Sequence, residues 1–167
     1  TAAEYLRRVA TTKTGPPLPR TFPFYPSDRL LTKRYPETEL PLFSPDGWGK
    51  GKVTKLSSLL SGKRPAAVMF FSATCEHCQV DVPQIVKFLK DHPDTYDVVG
   101  VTRIRHANHR RVSDQYFKQQ GITFPIFEDA GTISDLYKVT STPTDFYLSP
   151  GGTIVSTRCT SSFRNLP

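Results

Sequence analysis

Cys75 and Cys78 stand two residues apart, where an apolar run from Ala66 to Phe71 gives way to a helical pattern. The nucleophilic form of cysteine is the thiolate, and the free N–H groups and dipole at a helix N-terminus stabilise such an anion. Cys75, at that junction, is therefore the expected nucleophile. Cys78 lies one helical turn further in, near enough to attack a mixed disulfide on Cys75 and release a reduced substrate. The same C-x-x-C spacing also makes half of a zinc site, which would require Cys159 and a histidine such as His106 to be brought close. A strand before the pair and a helix after it favour the redox reading. No metal and no cofactor beyond the pair's own redox-active disulfide is expected.

The elements that must position the pair follow from the pattern of apolar residues. Ala66 to Phe71 has strand length, and Val82, Ile85, Val86 and Leu89 then recur at spacings of three, four and seven, on one helical face. Tyr96 to Val101 is the next expected strand, Val112 to Gln120 a helix, Pro125 to Phe127 a short strand and Ile133 to Val139 a helix. Thr144 to Leu148 and Thr153 to Thr157 flank the turn Ser149-Pro150-Gly151-Gly152 and read as a hairpin. Strands alternating with helices imply an α/β fold with a mostly parallel sheet covered on both faces, and the terminal hairpin adds an antiparallel edge.

Ahead of this lies a different kind of sequence. Residues 1–39 read as a proline-rich arm or linker and 40–167 as the domain. Ala2 to Ala10 could form a short helix, but Pro16, Pro17, Pro19, Pro23, Pro26, Pro36, Pro41 and Pro45 then disfavour regular structure. Phe22, Phe24, Tyr25 and Tyr35 give the arm enough aromatic surface for part of it to pack on the domain. The turn signal Ser44-Pro45-Asp46-Gly47, with Val53-Thr54 after it, completes a small N-terminal hairpin before a short helix from Leu56 to Leu60.

Among 167 residues, Lys and Arg outnumber Asp and Glu by 22 to 15, a formal charge of +7. Such a balance favours an acidic partner, an anionic membrane surface or nucleic acid. Zinc-finger spacing, an aromatic RNA-binding signature and basic-region heptads are all missing, so nucleic acid is set aside. The sequence contains no run of eighteen apolar residues. It begins at Thr1 without a leader, as a processed protein or an excised portion would, so a tether to a membrane anchor or second domain stays open.

The run VMFFSATCEHCQVDVPQI resembles the active-site strand and helix of the TlpA and ResA group of thioredoxin-like proteins. SPDGWGKGKVTKLSSLLSGKRP is similar to that group's N-terminal hairpin, and GITFPIFEDAGTISDLYKVTSTPTDFYLSPGGTIV to its ending, so the likeness covers about residues 40 to 157. It implies a thioredoxin fold, with a central mixed sheet flanked by helices. It also implies that Thr142 and Pro143 form a cis peptide beside Cys75, exposing backbone that an extended substrate can pair with. Asp81 stands where the group keeps an acidic residue three positions beyond the second cysteine, a place from which a carboxylate could exchange the Cys78 proton. Two positions depart from the pattern. Thr74 replaces the usual tryptophan before the first cysteine, which alters the face offered to substrate. His77 replaces a common proline and is similar to the oxidase DsbA; its imidazole would stabilise the Cys75 thiolate and make the disulfide more oxidising, while Glu76 would oppose this.

Arg103, Arg105, His106, His109, Arg110 and Arg111 cluster after the second parallel strand. Loops beyond the carboxyl ends of parallel strands share one face, so the cluster should border the site, with Arg103, Arg105, Arg110 and Arg111 as an anionic partner surface. The resemblance thus implies a thiol-disulfide oxidoreductase that acts on protein dithiols or disulfides with a redox partner protein. Its place would be the bacterial periplasm or the extracytoplasmic face of the membrane. Two other readings stand beside it, a peroxiredoxin-like peroxidase and a non-catalytic module holding copper or zinc through Cys75, Cys78 and His77. Cys159 reads as a buried or inert thiol.

Overall fold

The computed structural model describes residues 26–159, the side chain of Cys159 excepted. The helix expected over 2–10 and the aromatic residues Phe22, Phe24 and Tyr25 lie outside the described residues. A 3-10 turn, Pro26–Leu30, leads to a small antiparallel hairpin of β1 (Glu39–Pro41) and β2 (Val53–Lys55), then α1 (Leu56–Leu59). There follow β3 (Ala66–Phe71), α2 (Glu76–Asp91), β4 (Asp97–Arg103), α3 (Ala107–Gln120), β5 (Ile126–Asp129), α4 (Thr132–Leu136), β6 (Thr144–Leu148) and β7 (Ile154–Cys159).

The last five strands form one sheet in the order β5-β4-β3-β6-β7. β3, β4 and β5 run parallel, while β6 is antiparallel to both β3 and β7. Two parallel crossovers joined to a closing antiparallel hairpin make this the thioredoxin fold that the resemblance implies. β3 is central because both its faces are apolar. Ala66, Val68 and Phe70 enter a core with Phe127, Tyr137, Phe146 and Ile154. Ala67 and Met69 face the other way, onto Ile85 and Phe88 of α2. Phe71 packs with Cys78, Val82 and Phe117. A strand covered on both sides reads as a continuous apolar run, and each buried phenylalanine contributes about 1.5–3 kcal/mol before entropy is counted.

Helix boundaries differ from expectation where side chains cap the backbone. α3 begins at Ala107 rather than Val112, because His106 precedes it in extended conformation and its Nδ1 accepts the His109 N–H at 3.1 Å. It ends at Gly121, whose left-handed φ of 62° suits glycine. Asp129 organises α4 by accepting the N–H groups of Gly131, Ile133 and Ser134 at 2.8, 3.0 and 3.2 Å. α4 stops at Leu136, three residues short of Val139, and Lys138 takes a positive φ of 55°.

The described part of the arm packs on the rest of the chain. Tyr35 is buried in the core, and the Tyr137 hydroxyl donates to the Pro36 carbonyl at 3.1 Å. Thr32 donates its N–H to Ile154 and Ile154 donates back to Lys33, at 2.9 and 2.8 Å. The Thr157 hydroxyl donates to Asp28 at 2.5 Å. Prolines forbid a regular ladder here, but a few paired donors and one buried ring suffice to hold the segment.

Candidate active site

Cys75 is the N-cap of α2, with extended φ and ψ of −92° and 118°. Its Sγ accepts the N–H of Cys78 at 3.4 Å, so the sulfur sits over the unpaired donors of the helix start. Its own N–H is turned back to the Ser72 carbonyl at 3.2 Å, which fixes the turn out of β3. Cys75 is half-buried and Cys78 is fully buried. Burial among Phe71, Val82 and Phe117 pushes the Cys78 thiol far above its ordinary value, and the adjoining Cys75 thiol adds to the rise. The two sulfurs are therefore unlike, the outer one open to attack and the inner one held as a neutral thiol.

The Thr142–Pro143 peptide is cis. Cys75 Sγ donates to the Thr142 carbonyl at 3.3 Å. The register explains the meeting: Phe70 of β3 lies opposite Thr144 of β6, so the chain leaving β3 and the chain entering β6 share one edge. Pro143 is buried at that edge, while Thr142 keeps partial access to solvent.

Thr74 is exposed, and its hydroxyl lies 3.0 Å from that of Ser72. Ser72 in turn contacts His109 Nε2 at 3.3 Å. His109 is largely buried, and burial holds it below the ordinary histidine value, with His106 and Arg105 adding to the effect. A polar chain from α3 thus braces the turn before Cys75. Gln79 Nε2 donates to Ala73 O at 2.9 Å, and the Tyr116 hydroxyl donates to Cys78 O at 3.3 Å. Burial, with the two cysteines nearby, pushes Tyr116 up to about 12. Glu76 and His77 are both exposed. The sequence places His109 in a cluster bordering the site, but its contact with Ser72, and the parts of Ser72 and Tyr116, carry no spacing signal because these groups sit on separate elements.

Asp81 is engaged elsewhere. Its Oδ2 accepts from Arg158 Nη2 at 2.7 Å, with both side chains largely buried. No hydrogen bond joins it to Cys78 among the described residues. The Asp81–Arg158 ion pair ties α2 to β7. Asp145, opposite Arg158 in the β6–β7 register, is fully buried. Burial pushes it up to about 7, with Arg158 opposing and Asp81 adding to the rise.

The basic cluster divides in two. Arg103, Arg105 and Arg111 are exposed, but Arg110 is not part of any surface. It forks onto both carboxylate oxygens of buried Glu128, donates to Ser44 O at 2.6 Å, and stacks on Phe43 and Trp48. The cation inside the helix is thus answered within the fold rather than by an external anion. Cys159 closes β7 opposite Thr144. Among the described residues no group of three His, Cys, Asp or Glu side chains is arranged to hold a metal ion, and no helix is long and apolar enough to cross a membrane.

The family model described as the AhpC/TSA family matches residues 31–157. Sporulation thiol-disulfide oxidoreductase A of Bacillus subtilis (strain 168) is 30% identical over 91 residues, 53% of this chain and 55% of that protein. Thiol-disulfide oxidoreductase ResA of Oceanobacillus iheyensis is 26% identical over 86 residues, 51% of this chain and 44% of that protein. The chain thus spans about half the length of the curated relatives it matches. Among solved structures, StoA from Bacillus subtilis superposes with a TM-score of 0.58 at 22% identity, over 74% of this chain and 87% of that one.

Proposed function

This chain belongs to the AhpC/TSA family, and on that premise we propose that it exchanges a Cys75–Cys78 dithiol/disulfide with protein substrates. The observation that carries the reading is the pairing of an accessible N-cap sulfur, Cys75, with a buried thiol, Cys78, one turn behind it.

In the reducing direction, the Cys75 thiolate attacks one sulfur of a substrate disulfide. An S–S bond forms to Cys75, and the substrate's other sulfur leaves as a thiolate. Cys78 then attacks Cys75 Sγ, the Cys75–substrate bond breaks, and the Cys78 proton passes to the departing sulfur. Two electrons have moved from the Cys75–Cys78 pair to the substrate, and the oxidising direction is the reverse. The potentials of substrate and redox partner protein set the direction. The Thr142 carbonyl, beside Cys75, is placed to accept a backbone N–H from an extended substrate once the thiol no longer uses it.

We place the reaction on the extracytoplasmic side of a bacterial membrane, the compartment the likeness to TlpA- and ResA-type proteins suggests and one in which disulfides persist. The test is a Cys78→Ser variant incubated with a disulfide-bonded protein. A covalent adduct on Cys75, absent from Cys75→Ser, supports the reading, and its absence contradicts it. Hydrogen peroxide consumption by the same variant would favour peroxidase chemistry instead.

A further inference from the structure

A cleft of about 410 Å³, lined by Trp48, Arg103, Ile104, Arg105 and Ala130, opens on the surface. Its position follows from the sheet. β4 lies beside β3 in register, with Thr102 opposite Phe71, so Arg103 to Arg105 leave β4 at the edge where Ser72 to Cys75 leave β3. Ala130 leaves the third parallel strand at the same edge, directly after Asp129. Neighbouring strands are about 4.8 Å apart, so the cleft opens at the same edge of the sheet as the redox pair, one to two strands along. The contact between His109 and Ser72 ties the helix that follows Arg105 to the turn before Cys75.

The chemistry of the lining is specific. Trp48 is the chain's single tryptophan, and 52% of it is exposed. It is held in place, since the buried Arg110 guanidinium sits 5.8 Å from its ring. Arg103 and Arg105 are exposed, and neither forms an ion pair among the described residues, in contrast to Arg110. Gly131, at a φ of 120°, leaves room for Arg103, because a Cβ there would lie 3.1 Å from the guanidinium. Two unanswered guanidinium groups beside a fixed aromatic ring and an apolar floor fit carboxylates carried on a chain with apolar residues between them.

We propose that this cleft docks an acidic segment of the partner protein whose cysteine reacts at Cys75. The inference rests on the exchange reading, and it gives the partner a chemical character: Asp or Glu residues interleaved with apolar ones, next to the reacting cysteine. Attraction between this segment and the two arginines raises the encounter rate and holds the partner's sulfur over Cys75.

The experiment uses the full chain and two cysteine-free peptides of equal length, one with Asp, Glu and Leu, the other with Lys and Leu. Trp48 emission reports binding in the cleft without any redox step. The acidic peptide should change that emission and the lysine peptide should not, and the response should vanish in Arg103→Glu/Arg105→Glu. The same peptides, each carrying one cysteine in a mixed disulfide, should then react at Cys75 with rates about tenfold or more apart at low salt, converging as salt rises. An uncharged small disulfide should react equally with wild type and variant. Equal responses to both peptides overturn the docking inference. So does a Trp48 response to an RNA oligonucleotide or anionic vesicles, titrated in parallel, with none to the acidic peptide, which would assign the cleft to a different macromolecule. If the acidic peptide binds but no disulfide reacts at Cys75, docking stands and the exchange reading fails.

Discussion

The Cys75 thiol and the Thr142 carbonyl, 67 residues apart in sequence, meet at 3.3 Å. The contact exists because β6 runs back antiparallel along β3, so the loop that begins β6 closes over the turn that ends β3. A substrate approaching Cys75 meets both at once, the sulfur for chemistry and the carbonyl for pairing. Cys78 faces the other way, into the apolar layer beneath α2.

That asymmetry sets the order of modification. Iodoacetamide should label Cys75 of the reduced native protein, while Cys78 should react about 100-fold or more slowly until denaturant is added, because burial suppresses its thiolate. Because its pKa lies far above the ordinary range, raising the pH to 9 should not close the gap. Peptide mass mapping over time checks this, and equal labelling of the two cysteines would contradict it.

His77 is exposed beside the pair. If its imidazole favours the reduced form, replacing it with proline should make the pair more reducing, and for an exposed group by no more than about 30 mV, or 1.4 kcal/mol. A glutathione titration of His77→Pro measures the shift. A displacement of 100 mV would mean that His77 acts as a buried charge.

Asp145 should make stability fall as pH rises. Its folded value, about 7, lies above the ordinary carboxylate value of 3.8, so the folded state holds a proton that the unfolded chain releases between those limits. The stability due to this proton is fully present below pH 3.8 and is lost as pH rises through about 7. Asp145→Asn should remove that slope, gaining melting temperature relative to wild type at pH 8 and little at pH 4. Thermal unfolding at the two pH values checks it, and a gain that is the same at both would count against it.

Arg110 and Glu128 should behave as a unit. Arg110→Ala leaves the Glu128 carboxylate buried without its partner and should cost about 3–5 kcal/mol in urea unfolding. Replacing both by apolar residues of similar size should cost much less than the sum of the single changes. Additive losses would show that the two side chains contribute independently.

The strands and the redox pair were legible in the sequence because they are local. An apolar run of six residues, a helical recurrence and a C-x-x-C at their junction need no knowledge of what packs where. The buried ion pairs were not legible for the opposite reason. Arg110 sits in a run of basic residues indistinguishable from its exposed neighbours, and only the pairing of β4 with β5 brings Glu128 beneath it. Asp81 carries the spacing of a proton-exchanging acid, yet its partner, Arg158, arrives from 77 residues away. Asp145 leaves a trace, a carboxylate beside Phe146, Tyr147 and Leu148 in one strand, which marks a buried titratable group. Tyr35 shows that a proline-rich segment with aromatic residues can contribute a ring to the core.

The central claim is that Cys75 and Cys78 form one two-electron couple. Equilibrating the protein across glutathione buffers, quenching with acid and weighing the alkylated forms tests it directly. A single transition should appear in which both thiols vanish together and a Cys75–Cys78 disulfide is recovered in the peptide map. Independent glutathione adducts on the two cysteines, with no bond between them at any potential, would contradict it.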